Sequence, residues 1–353
     1  MRILVATDAW HPQVNGVVRT YERLSEELKT LGVELCVLAP HEFYNLPCPT
    51  YPEIRLALPG WTRVARRFRE LMPDAVHIAT EGPIGWMARR YCRARAIPFT
   101  TSFHTRFPEY LAQRFAIPTA WTTAILRRFH NAGRGLMAAT PSLAHELETH
   151  GFERVMPWTR GVDTDLFRPR PVRNFGAGPV FLYVGRVSAE KNITAFLDLD
   201  LPGRKAVVGG GPQLAELQAS YPHVLFTGKR TGEALAECYA SADVFVFPSR
   251  TDTFGMVLLE AMASGLPVAA FPVTGPKDIV IPGETGVLSE SLREAALSAL
   301  RLDRQHIRAK AAEFGWEGAA RLFLANITSA CLKEPARTQT LRALRLAKTP
   351  QRH

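Results

Sequence analysis

Short apolar runs rich in β-branched residues alternate with helix-spaced segments along nearly the whole chain, and this rhythm narrows the fold more than any other feature. In the first half, residues 3–6, 33–39, 75–79, 98–101 and 136–139 read as buried strands. Residues 18–31, 61–71, 84–95, 120–131 and 142–150 between them have helical spacing. Such alternation predicts a parallel sheet with helices on both faces, an α/β architecture. The rhythm pauses at residues 160–179, RGVDTDLFRPRPVRNFGAGP, which are rich in Pro, Gly and charge. It resumes with strands at 180–184, 205–208, 224–227, 244–247 and 268–271, and helices at 193–197, 213–221, 233–241, 255–264 and 292–300. The expected organisation is a Rossmann-like domain at 1–165, a linker at 166–179 and a second Rossmann-like domain at 180–315. A final amphipathic segment, 316–332, has no strand after it and is expected to cross back onto the first domain. The tail 333–353 reads as basic and weakly ordered. A chain of 353 residues also exceeds a comfortable single core.

Composition excludes several classes. The start, MRILVATD, is too short for a signal peptide and reads as a strand. No run approaches the roughly 18 apolar residues that span a bilayer. Cys36, Cys48, Cys92, Cys238 and Cys331 lie far apart with no C-x-x-C pair, so they read as reduced thiols of a cytoplasmic chain and poor metal ligands. The net charge of +10 is uneven. Residues 1–170 hold 22 Lys/Arg against 16 Asp/Glu, and the tail from 333 holds six against one. An anionic partner or a plain solvated basic surface fits that bias equally well.

The stretch with most chemistry is 248–267, PSRTDTFGMVLLEAMASGLP. Its helix is apolar nearly all round, with Ser249, Thr251, Asp252 and Thr253 as capping candidates and Gly265 and Pro267 as its stop. Asp252 and Glu260 interrupt the apolar run, and a buried carboxylate needs a partner from protein or ligand. Free N–H groups at a helix start also form an anion site. In YVGRVSAEKNI, Arg186 and Lys191 flank another helix start, where two cations oppose the dipole unless an anion sits between them. Gly16, in DAWHPQVNG after the first strand, suits a phosphate-approaching loop, although no G-x-G-x-x-G fingerprint accompanies it. His104, in TSFHTRFP, directly follows a strand. The turn GGGP at 209–212 adds permissive backbone. Two D-x-D pairs, Asp163 with Asp165 and Asp198 with Asp200, read as chance matches to a metal-binding pattern.

Together PQVNG, SFHTRFP, RGVDTDLFRP, YVGRVSAEKN, VVGGGP and SRTDTFGMVLLEAMASGLPV resemble the retaining nucleotide-sugar glycosyltransferases of family 4, in particular bacterial glycolipid-forming members. That resemblance implies the GT-B fold: two Rossmann-like domains whose parallel sheets face each other across a cleft. The family signature is E-x7-E; here Asp252 holds the first glutamate's place and Glu260 the second. By resemblance, Glu260 would hold ribose hydroxyls, Arg186 and Lys191 the diphosphate, and Asp252 and His104 the transferred sugar. The backbone over Thr253, Phe254, Gly255, Met256 and Val257 would add N–H donors, and Gly16 would let the first loop close. No metal or other cofactor is expected, since the two cations would carry the leaving-group charge.

The implied reaction moves a hexose or hexuronic acid from a nucleotide diphosphate sugar, UDP favoured, to a lipid such as diacylglycerol. GDP-mannose transfer to a lipid or polysaccharide is the alternative, and a GT-B-shaped 2-epimerase or a non-catalytic nucleotide-sugar-binding or membrane-scaffold protein stands outside the transferases. No nucleic-acid partner is expected. The basic helix WTRVARRFREL places Trp61 on one side and Arg63, Arg66, Arg67 and Arg69 mostly on the other, and Arg127 and Arg128 add charge nearby. This pattern suits peripheral contact with the anionic cytoplasmic face of the inner membrane, or equally an ordinary helix packed on its own sheet.

Overall fold

The structure is a computed structural model that describes residues 1–13, 15–48, 51–106 and 118–332. The expected tail 333–353, Val14 of PQVNG, and Phe107 and Pro108 of SFHTRFP lie outside the described residues. The chain forms two compact units, one of Met1–Thr159 with the segment from Glu317 onward, the other of Arg160–Trp316.

In chain order the first unit runs β1 (Arg2–Ala6), α1 (Gly16–Thr30), β2 (Glu34–Leu38), β3 (Asn45–Cys48), β4 (Tyr51–Ala57), α2 (Trp61–Leu71) and β5 (Ala75–Ile78). It continues through α3 (Pro83–Ala94), β6 (Phe99–Ser102), α4 (Thr119–His130), β7 (Gly135–Ala138), α5 (Pro141–Thr149) and β8 (Val155–Pro157). The main sheet is parallel, in the order β2-β1-β5-β6-β7-β8. Its central strands are covered on both faces, which is why they read as unbroken apolar runs. The antiparallel hairpin of β3 and β4 departs from the expected pattern. Pro47 and Pro52 mask it, because proline weakens any strand assignment.

The second unit runs β9 (Val180–Val184), α6 (Thr194–Leu197), β10 (Arg204–Val208), α7 (Leu214–Ser220), β11 (Leu225–Phe226), α8 (Gly232–Ala240) and β12 (Val244–Phe247). After these come α9 (Met256–Ala263), β13 (Val268–Ala270), α10 (Pro276–Ile279), β14 (Gly286–Leu288), α11 (Leu292–Ala299) and α12 (Arg304–Ala311). All its strands are parallel, in the order β11-β10-β9-β12-β13-β14. Chain order therefore reverses between β9 and β12, and a crevice opens beyond the strand ends at such a reversal.

The stretch 166–179, expected as a linker, packs onto the second unit. Phe167 and Phe175 are buried there, Phe167 edge-on to Tyr239, and the Asn174 N–H donates to Ser241 Oγ at 3.1 Å. Those two aromatics outweigh the Pro/Gly character of their neighbours. The last helix, α13 (Trp316–Cys331), packs in the first unit's core. Trp158 Nε1 donates to the Ala319 carbonyl at 3.1 Å, Asn326 Nδ2 to the Pro157 carbonyl at 2.8 Å, and Phe323 packs on the Trp158 ring.

Candidate active site

At the reversal in the second sheet, the loop after β9 and the loop after β12 are tied together. Lys191 Nζ donates to both Asp252 carboxylate oxygens at 2.8 Å. Asn192, in the left-handed region at φ 51°, donates from Nδ2 to the Pro248 carbonyl at 3.0 Å, and Thr251 Oγ1 reaches the Glu190 carbonyl at 3.4 Å. Lys191 and Asp252 remain partly exposed, at 28% and 19% of their side-chain surface. Water and ligand can therefore reach the pair. The glycines of GGGP make the neighbouring close approach possible. A Cβ on Gly209 would stand 1.8 Å from the Gly185 carbonyl oxygen, and one on Gly211 2.2 Å from that of Val187.

Helix α9 starts without a side-chain cap, from Gly255 at φ 86°. Of the four expected capping residues, Asp252 turns to Lys191 and Thr251 to the Glu190 carbonyl, and the N-cap position falls to Gly255. Helix α9 thus opens from Gly255, which has no side chain of its own to cap the first N–H groups. Phe254 is buried just before it. One turn into the helix, buried Glu260 accepts from the hydroxyl of fully buried Tyr239 at 2.8 Å. Tyr239 escaped the sequence reading, since a tyrosine within α8 looks like ordinary core. Arg186 lies in the same loop as Lys191, partly exposed, its carbonyl held by the Tyr183 hydroxyl at 2.7 Å.

The reversal in the first sheet, between β1 and β5, is filled from within. The Asp8 carboxylate accepts from the N–H groups of Ile84 and Gly85 at the start of α3, at 2.8 and 3.2 Å, and from Thr80 Oγ1 at 2.9 Å. Burial pushes its pKa up to about 6, against the pull of these hydrogen bonds. A Cβ on Gly82 would stand 2.4 Å from Asp8 Cγ, so only glycine admits the carboxylate. The helix start that follows Gly16 is likewise taken, Asn15 Oδ1 accepting from Val17 and Val18 at 3.0 Å. His104, just after β6, hydrogen-bonds Tyr21 through Nε2 at 3.1 Å.

Three of the four D-x-D carboxylates face protein groups. Asp163 Oδ1 accepts from the N–H groups of Asp165 and Leu166, Asp198 takes the Tyr221 hydroxyl at 2.5 Å, and Asp200 faces Arg293.

Helix α2 packs on its own unit, one of the two arrangements its pattern allows. Val64, Ala65 and Phe68 are buried, and Trp61 packs on Tyr91, so its apolar side belongs to the core. Arg66 and Arg67 pair with Glu70, Arg67 also with Glu42, Arg63 lies over the Phe43 ring, and Arg69 reaches the Ala65 carbonyl. Exposed apolar residues stand around the β3–β4 hairpin, among them Tyr44, Leu46, Leu56 and Leu58, and on α4, where Trp121 and Ile125 are 72% and 55% exposed one turn apart. Beside them, an open groove of about 390 Å³ is lined by Pro83, Trp86, Met87, Arg89, Arg90 and Arg93. Arg89 donates to the Phe129 and Arg128 carbonyls, joining groove to helix. Its pKa is lowered by burial and by repulsion from Arg93 and Arg128. Among the described residues no carboxylate pairs with this cluster. Arg127 points to the His150 carbonyl at 3.2 Å.

The profile of Glycosyltransferase Family 4 matches residues 14–166, and that of Glycosyl transferases group 1 matches residues 178–302. A GDP-mannose-dependent alpha-mannosyltransferase of Mycobacterium tuberculosis is 32% identical over 319 residues, covering 82% of this chain and 83% of that protein. The chain belongs to the family 4 glycosyltransferases. It is a transferase of GT-B fold. A solved sucrose-phosphate synthase from Thermosynechococcus elongatus shares that fold, with a TM-score of 0.72 at 20% identity over 92% of this chain and 97% of its own. An alpha-monoglucosyldiacylglycerol synthase of Streptococcus pneumoniae is 24% identical over 76% of this chain and 71% of its own length. No helix among the described residues of this glycosyltransferase is long and apolar enough to cross a membrane.

Proposed function

We propose that this glycosyltransferase moves a hexose from a nucleoside diphosphate sugar to a lipid acceptor, retaining the anomeric configuration, with the donor held at the β9/β12 reversal of its second unit. The observation that carries the reading is the Lys191–Asp252 pair beside the uncapped start of α9. A glycosyl–phosphate bond breaks with positive charge growing on the sugar and negative charge on the departing diphosphate. Lys191 and Arg186 supply fixed cations for that diphosphate, and the N–H groups from Thr253 to Val257 add the positive end of a helix dipole. A single donor aimed at such developing charge is worth about 3 kcal/mol, so this set suffices without a metal. Asp252 faces the sugar and, by its charge, keeps Lys191 in place until phosphate competes for it. Glu260, braced by Tyr239, accepts from the ribose hydroxyls.

GDP-mannose is the donor we favour, because the relative that is 32% identical carries that dependence in its name. A UDP-hexose is the second reading, favoured by the motif style of glycolipid-forming members. The lipid acceptor is supported by the diacylglycerol named in the streptococcal relative and by the exposed Trp121, Ile125 and unpaired-arginine surface. Such a surface suits peripheral binding to an anionic leaflet, each cation contributing about 1 kcal/mol. A thermal-shift panel of GDP-mannose, UDP-glucose, UDP-galactose and UDP-glucuronate tests the donor. The true one at 100 times its Kd adds about 2.7 kcal/mol of stability. Equal melting in all four would sink the reading.

A further inference from the structure

The second sheet has another opening, at the amino ends of its strands and away from the loops that carry Lys191 and Asp252. Pro179, Asp243 and Pro267 immediately precede the neighbouring strands β9, β12 and β13, and all three line an open groove of about 680 Å³. Leu300 and Leu302 add apolar wall, and Arg173 and Arg304 bring two guanidiniums. Every residue that lines the groove belongs to the second unit. Asp243 is the one carboxylate among them, and it is shared three ways. Its Oδ2 accepts from the Val180 N–H at 2.9 Å, while Oδ1 serves both cations, with Arg173 Nη1 at 3.0 Å and Arg304 Nη1 at 3.3 Å. Among the described residues no second carboxylate pairs with either guanidinium.

We infer that this groove is a binding site for a small organic carboxylate, a monoanion with an apolar body. Two guanidiniums against one carboxylate leave a single positive charge to be balanced. Each guanidinium has five N–H donors in a rigid fork, and each spends one on Asp243. A second planar carboxylate matches the donors that remain. Arg304 also opens α12, where a cation meets the positive end of the helix dipole and gains from a nearby anion. Burial lowers its pKa and repulsion from Arg173 adds to the effect, which the attraction of Asp243 does not undo. The prolines and leucines of the wall cover the apolar body of the ligand. A dianion such as a phosphate monoester overshoots the surplus charge and is repelled by Asp243.

Phenylacetate is the probe, titrated against the full chain by ligand-observed NMR, with 2-phenylethanol and phenyl phosphate offered as competitors. The wild type should bind phenylacetate, and the alcohol and the dianion should displace it on the order of tenfold less well than unlabelled phenylacetate does. Arg304→Gln and Arg173→Gln should each weaken phenylacetate on the order of tenfold. Arg173 is exposed, so its variant keeps the test open even if Arg304→Gln melts early. A folded Asp243→Asn should bind phenylacetate more tightly, because the competing charge is gone and an acceptor for the Val180 N–H remains. Lys191→Ala should bind it as the wild type does, whether or not the donor sits where Lys191 stands. Absence of binding by the wild type, wild-type affinity in Arg173→Gln, stronger competition by the alcohol or the dianion, weaker binding in a folded Asp243→Asn, or loss in Lys191→Ala would each overturn the site.

Discussion

Lys191 Nζ stands 2.8 Å from each carboxylate oxygen of Asp252, and the two residues meet from the loops that follow β9 and β12. These are the adjacent strands at which the second sheet reverses its order. A symmetric contact of this kind shares the ammonium equally between the two carboxylate oxygens. The pair also ties the short 3-10 turn Ala189–Lys191 to the loop that leads into α9. Because both groups are partly exposed, the pair is a modest source of stability. Its consequence is functional.

Removing the carboxylate's charge should separate binding from chemistry. In Asp252→Asn, transfer should drop by at least about 100-fold, the loss expected for one electrostatic contact made to the reacting sugar. Nucleoside diphosphate binding should be unchanged or tighter, because Lys191 no longer answers to a competing anion. Steady-state kinetics together with calorimetry of GDP and UDP check both halves.

Tyr239→Phe deletes the hydroxyl that Glu260 accepts from at 2.8 Å and leaves a buried carboxylate short of a partner. Hydrogen bonds to charged groups contribute about 1.5–3 kcal/mol. Nucleotide affinity should therefore weaken roughly 10- to 100-fold, with Glu260→Gln at least as damaging and both proteins still folded. Binding isotherms and circular dichroism read the two effects separately.

Asp8 makes stability depend on pH. Its folded pKa, about 6, lies above the usual carboxylate value of 3.8, so the folded state holds the proton more tightly than the unfolded chain does. Stability should consequently fall as pH rises from about 4 to about 6, by an amount on the order of 3 kcal/mol. Asp8→Asn should flatten that slope. Urea unfolding at a series of pH values between these limits tests the sign.

The proposed lipid-binding surface on α3 and α4 can be tested against α2. Trp121→Ser with Ile125→Ser, or Arg90→Gln with Arg93→Gln, should each reduce sedimentation with phosphatidylglycerol vesicles several-fold at low salt. Arg66→Gln, on a helix whose arginines face carboxylates, should change it little. Vesicles of neutral lipid serve as the control.

Much of the fold was legible because parallel strands buried on both faces must be continuous apolar runs, as VFLYV and VFVF are. Asp252 and Glu260 stood out for the complementary reason, as carboxylates where water is scarce. What periodicity hides is the identity of partners. It could not foretell that Asp252 would take Lys191 in place of capping α9, nor that Tyr239 on another helix would brace Glu260. Asp8 was passed over because an aspartate after a strand looks like any loop residue until Gly82 is seen to make room for it. For α2 the amphipathic pattern left two neighbours open, since a core-facing and a membrane-facing helix share the same spacing, and the structure shows the apolar side in the core. Exposed Trp121 and Ile125 carry no such pattern and emerge only from the packing of α4.

The most direct test of the account is the affinity of GDP and UDP for the wild type and for Lys191→Ala, measured by calorimetry on the full chain. The account predicts that the wild type binds one of the two, and that the variant binds it at least tenfold more weakly while melting at nearly the same temperature. Equal affinity in the two proteins would remove Lys191 from the diphosphate, and with it the claim that the donor sits at the β9/β12 reversal.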